Sequence, residues 1–99
     1  MLPEKQQKAY VNFYDTAREN TILDPKTSYL LHIAAAMAIG CVPCMEYYLK
    51  QQQKEGVTDE EIGAAQAVAM AVSAGRINAQ LRQAEQNVKK SAPACNGGK

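Results

Sequence analysis

Two cysteines three apart, Cys41 and Cys44 in the stretch GCVPCMEYYLK, are the residues of this chain best suited to chemistry. A Cys-x-x-Cys pair can shuttle between dithiol and disulfide, can clip a metal ion, or can fill a core as two small apolar thiols. On a helix, residues three apart share a face with side chains within about 6 Å, so this pair can close a disulfide without large backbone motion. Free amides and the positive dipole end at a helix start favour a thiolate, and pairs placed there commonly have thiol pKa values below about 8.5. A structural zinc site needs four ligands, and His32 and Cys95 are the only additions on offer, without the spacing of a zinc module. Neither a metal nor a cofactor is expected.

Composition narrows the setting. A chain of 99 residues supports one domain. With no tryptophan and a single phenylalanine, its apolar share rests on small and aliphatic side chains suited to close helix packing. The net charge of +1, with both signs interspersed, gives no electrostatic footprint for nucleic acid or an anionic membrane, and neither is expected as a partner. No apolar run reaches the roughly 18 residues needed to span a bilayer, and the opening MLPEKQQK is polar. The expectation is a cytoplasmic protein, and in that reducing compartment a Cys-x-x-Cys points to catalysis or metal binding rather than a permanent staple.

The elements that must position the pair read as helices almost throughout. Tyr10, Phe13, Tyr14 and Ala17 form one stripe and predict a first helix over 4–18. LDPKT offers Asp24 as N-cap and Pro25 at the first helical position of a second helix, which runs to about Ile39 before Gly40. Pro43 opens a third helix over 42–54, closed by Gly56, so the cysteines fall at a helix start. Thr58 and Glu61 have capping-box spacing and introduce an alanine-rich fourth helix over 62–74. Gly75 is read as the break before a fifth helix, whose Ile77, Leu81, Ala84 and Val88 follow a seam suited to a partner helix. The domain is expected to span 1–90, with 91–99 as a disordered tail in which Cys95 is a spare thiol.

A thioredoxin fold needs strands on either side of such a motif, and no strand is predicted. The LDPKT entry, Cys41 and Cys44, and GVTDEEI leading into an alanine-rich helix together resemble the carboxymuconolactone decarboxylase family, in its AhpD-like alkylhydroperoxidase branch. The resemblance runs from Leu23 to Ala84. It implies an all-α bundle of about five helices with a central helical hairpin, assembled as a homo-oligomer, usually a trimer or hexamer. It further implies a dithiol that turns over peroxide or exchanges disulfides, working with a thiol reductant or disulfide partner. A glutamate twelve residues before the first cysteine and a histidine four after the second assist the redox-active members.

Those two positions are occupied here by Tyr29 and Tyr48. A phenol with an unperturbed pKa near 10 is a poor base at neutral pH, so peroxide turnover in the family manner is expected to be slow. Tyr48 falls four residues after Cys44 on the dithiol face, and His32, three residues after Tyr29, is the only histidine; these three residues are the candidates to support the pair. Three readings follow. The first is a cytosolic thiol-disulfide oxidoreductase or weak peroxidase using Cys41 and Cys44. The second is a non-enzymatic helical scaffold or binding protein that keeps the fold, and the third is carboxymuconolactone decarboxylase-type ring chemistry, for which no cluster of arginines surrounds the cysteines.

Overall fold

The computed structural model describes residues 1–19 and 21–95, with side chains through Ser91. Four helices follow one another: α1 (Glu4–Arg18), α2 (Pro25–Ile39), α3 (Val42–Gln51) and α4 (Asp59–Cys95). No strand occurs among the described residues, so the all-α expectation holds. The count of about five helices does not, because the expected fourth and fifth are one continuous α4 running through Gly75. An interior glycine weakens a helix by about 1 kcal/mol relative to alanine, yet it keeps its amide proton, and the surrounding alanines and long straight side chains carry the helix across it. The helix also continues beyond Lys90 to Cys95, with the Ser91 hydroxyl donating to the carbonyls of Asn87 and Val88. Residues 96–99 of the expected tail and the side chain of Cys95 lie outside the described residues.

Local chemistry sets each boundary. The Asp24 carboxylate accepts the Thr27 amide at 2.9 Å, Pro25 takes the first helical position, and these bonds from Thr27 hold the Asp24 carboxyl below its ordinary pKa. At the far end, Gly40 adopts φ +73°, which lets its own amide reach the Met37 carbonyl and the Cys41 amide reach the Ala36 carbonyl at 2.9 Å. Gly56, at φ +68°, closes the turns after α3 in the same way, with the Val57 amide donating to the Gln52 carbonyl. The capping box forms as read: Glu61 N–H donates to Thr58 Oγ1 at 3.1 Å and Thr58 N–H to Glu61 Oε1 at 2.9 Å. Lys26 then ties α2 to the same glutamate across 3.1 Å.

α2 lies at the centre, packed against both α3 and α4, and the core is small: Tyr29, Ile33, Tyr48 and Val57, flanked by Leu30, Met37, Ile62 and Ala65. Helix α1 buries no residue, and its Phe13 is 70% exposed. The radius of gyration is 19.9 Å, where a compact chain of this length has about 13 Å. The chain exposes 7955 Å², against roughly 5,500 Å² for a compact monomer of its mass. No described helix is long and apolar enough to cross a membrane.

Ile33 is fully buried at the point where α2 meets both neighbours, so Ile33→Ala should lower unfolding free energy by about 2–5 kcal/mol in chemical denaturation.

Candidate redox site

Cys41 and Cys44 are joined in a disulfide with Cα atoms 5.3 Å apart, inside the ordinary range for such bonds. Cys41 sits outside the helix as the N-cap of α3, and its Sγ accepts the Cys44 amide at 3.3 Å. Pro43 fills the second helical position, where a missing amide proton costs no intrahelical bond. Both cysteines are half-buried. The helix-start placement read from the sequence is therefore met, and a free Cys41 thiolate would face an amide donor and the positive end of α3.

One turn along α3 from Cys44, the structure gathers the three supporting candidates into one cluster. Tyr48 packs edge-on against Tyr29 with ring centres 5.6 Å apart and lies beside the His32 imidazole at 5.5 Å. Tyr29 donates a short hydrogen bond to the Tyr48 carbonyl. That carbonyl is in the last turn of α3, where carbonyls lose their intrahelical donors, and the Gln52 amide turns instead to Leu49. Tyr29 thus serves α3 as a C-terminal clasp. His32 Nδ1 lies 2.7 Å from the Ser28 carbonyl, which can only accept, so Nδ1 carries a proton and Nε2 is the nitrogen left to take one.

Burial raises the pKa of both phenols, joined at Tyr29 by the charge of Glu55. Tyr48 is pushed up to about 12 by burial first and then by the adjacent Tyr14 phenol. Its hydroxyl is buried without an aligned hydrogen-bond partner, although Tyr14 is close enough to act on it electrostatically. At neutral pH neither tyrosine accepts a proton.

Sequence reasoning missed the layer outside this cluster. The Arg18 guanidinium, at the end of α1, lies over the Tyr14 ring at 5.1 Å and the Tyr47 ring at 5.2 Å, and Tyr47 stands edge-on to Tyr48. The one readable signal was the doubled tyrosine after the motif. Below Arg18 opens a cleft of about 500 Å³ walled by Asp24, His32, Tyr47, Tyr48 and Lys54, among others; neither cysteine lines it. Among the described residues, no three His, Cys, Asp or Glu side chains converge as metal ligands.

The two tyrosines should separate in mutagenesis. Tyr29→Phe removes the clasp and should cost about 1–3 kcal/mol, whereas Tyr48→Phe removes a buried unpartnered hydroxyl and should be neutral or stabilising in the same denaturation assay. A phenol whose pKa rises on folding keeps its proton in the native state after the unfolded chain has lost it. Stability should therefore fall as pH climbs from about 10 towards 12, and the fall should shrink in Tyr48→Phe, read as denaturation midpoints across that range.

Comparison with known proteins agrees with this architecture. A crystal structure of a protein from Thermotoga maritima, a carboxymuconolactone decarboxylase family protein with a suggested part in an antioxidative response, superimposes with a TM-score of 0.67 at 27% identity, covering 90% of this chain and 92% of the other. No curated protein matches the chain. The sequence profile of the carboxymuconolactone decarboxylase family matches residues 4–86, and the chain belongs to that family.

Proposed function

We propose that this protein is a thiol-disulfide oxidoreductase of the AhpD-like type, with weak peroxidase activity, acting in the cytoplasm as a homo-oligomer. The observation that carries the reading is the Cys41–Cys44 disulfide at the start of α3, with Cys41 Sγ in the N-cap position. Cys41 is the attacking thiolate. It displaces one sulfur of a substrate disulfide, forming a mixed disulfide and releasing the first thiolate. Cys44, giving up its proton, then attacks Cys41 Sγ, releases the second thiolate and closes the intramolecular bond. With a hydroperoxide, Cys41 takes the terminal oxygen as sulfenic acid and the alkoxide leaves with a proton; Cys44 then expels that oxygen as water. An external dithiol reopens the pair in either case.

The surroundings favour disulfide exchange over peroxide. The leaving alkoxide needs a proton donor, and the displaced proton of Cys44 needs a base. Tyr29 is engaged with the Tyr48 carbonyl and Tyr48 is buried, which leaves His32 Nε2 as the base of the cluster. The same tyrosines support a second reading, a helical scaffold without turnover, since both serve packing.

Single variants test the assignment. In Cys44→Ser, Cys41 should alkylate with a midpoint well below the ordinary thiol value of about 8.5 and should trap a mixed disulfide with a small aromatic disulfide; in Cys41→Ser, Cys44 should titrate closer to that value. Equal reactivity in the two variants would remove the assignment to Cys41, and absence of exchange in the parent protein would favour the scaffold. Peroxide consumption with a dithiol reductant should be slow. Installing an acid-base pair through Tyr29→Glu with Tyr48→His should raise it within the roughly 10²- to 10⁴-fold that such assistance supplies.

A further inference from the structure

The cleft below Arg18 is lined by charges of both signs, most of them uncommitted. Two cations, Arg18 and Lys54, and three carboxylates, Glu19, Asp24 and Glu55, stand around a volume of about 500 Å³, within the range of small-molecule sites. Asp24 is committed to the cap of α2, where it accepts from both the amide and the hydroxyl of Thr27. Lys54, Glu19 and Glu55 enter no ion pair among the described residues. Arg18 is held in place over the Tyr14 and Tyr47 rings, and one of its nitrogens reaches Asp15 at 3.4 Å, which leaves further N–H groups of the guanidinium for a ligand.

A ligand that satisfies this lining carries a carboxylate and an ammonium group together. A purely anionic ligand would meet the Glu19 and Glu55 carboxylates, and an apolar one would strip water from charged groups and put nothing in its place. The remaining wall is aromatic, formed by Tyr47 and Tyr48, and sulfur atoms pack favourably at ring edges. Position along α3 sets the reach. Tyr47 and Gln51 both line the cleft and follow Cys44 by three and seven residues, about 4.5 and 10.5 Å along the helix axis and within about 60° of it in angle. Extended chain covers about 3.3–3.6 Å per residue, so a molecule of roughly one to three residues bridges cleft and dithiol.

We infer that the cleft binds the zwitterionic head of a small cysteine-type disulfide, an amino acid or short peptide, and that such disulfides are the substrate class of the Cys41–Cys44 pair. Lys54 and Arg18 take the carboxylate, Glu19 and Glu55 the ammonium group, and the sulfur lies along Tyr47 towards the head of α3. The cysteines do not line the cleft because it holds the anchored end of the ligand and not the reacting one. Cys41 thiolate attacks one sulfur, the substrate S–S bond breaks and one half leaves as thiolate. Cys44 then gives up its proton and attacks Cys41 Sγ, the second half leaves, and one disulfide has become two thiols as the Cys41–Cys44 bond forms. The inference rests on the thiol-exchange reading for this step, but not for binding.

Binding is tested on the disulfide form of the protein with S-methylglutathione, a zwitterionic thioether that cannot exchange. Its amide shifts should gather around Arg18, Tyr47 and Lys54, and Lys54→Gln and Glu55→Gln should each weaken it roughly tenfold. Exchange is tested on the dithiol form with glutathione disulfide, anionic dithiodipropionate, cationic cystamine and neutral hydroxyethyl disulfide, each rate divided by that with free dithiothreitol. Glutathione disulfide should lead by roughly tenfold through KM, and the lead should shrink in Lys54→Gln and Glu55→Gln but persist in Lys50→Gln, which lies outside the cleft. No binding of S-methylglutathione, inorganic phosphate binding as tightly, or equal normalised rates for all four disulfides would each overturn the inference, the last with thiol exchange left standing. Binding at the cleft with no exchange of any disulfide would uphold the site and overturn the redox reading instead.

Discussion

The Gly40–Cys41 junction carries two helices at once. The Cys41 amide closes the last turn of α2 on the Ala36 carbonyl, and the Cys41 sulfur opens α3 by accepting the Cys44 amide. Only a residue in the left-handed region can precede it in this geometry, and glycine supplies that conformation without a Cβ penalty. The reversal sends α3 back along α2, which is what brings Tyr48 against Tyr29 and His32. Placement of the dithiol, its electrostatic environment and the aromatic cluster all follow from that turn.

At the other end of α3 the arrangement is held by a phenol. Tyr29 occupies the position where redox-active relatives are expected to carry a carboxylate, and here its hydroxyl satisfies a carbonyl of the last turn. At that position the chain carries a structural clasp. The cluster holds few groups for moving a proton: Tyr48 is held protonated by burial, and His32, with Nδ1 committed to Ser28, offers one nitrogen. The proposed function follows this chemistry, since sulfur–sulfur exchange, in which leaving thiolates need little protonation, asks less of such a cluster than expelling an alkoxide.

Much of this was legible in the sequence where a single residue enforces a local geometry. Asp24 with Pro25, Gly40 and the Thr58–Glu61 box act within one turn of themselves, and the boundaries they set, both ends of α2 and the start of α4, fall where they were read, whereas α3, read to 54, ends at Gln51. The cysteine pair was legible for the same reason. Gly75 misled because a glycine ends a helix only when the chain must reverse there, and the packing of α4 asks for no reversal. The cation–aromatic layer of Arg18, Tyr14 and Tyr47 joins residues almost thirty positions apart, and no periodicity within one helix could announce it. The stripe on α4 was visible in sequence, but the groove that α2, α3 and α4 form along the same face emerges only when the three are assembled.

The central claim is that the Cys41–Cys44 bond is a working redox couple. Equilibrating the protein in dithiothreitol or glutathione buffers of graded potential, quenching with an alkylating agent and reading the masses measures it directly. The account predicts a single two-electron transition between the disulfide and the doubly alkylated dithiol, centred in the range of known Cys-x-x-Cys oxidoreductases, roughly −120 to −270 mV. A bond that stays closed in the most reducing buffers while the protein remains folded, or two thiols that stay free in the most oxidising ones, would contradict it.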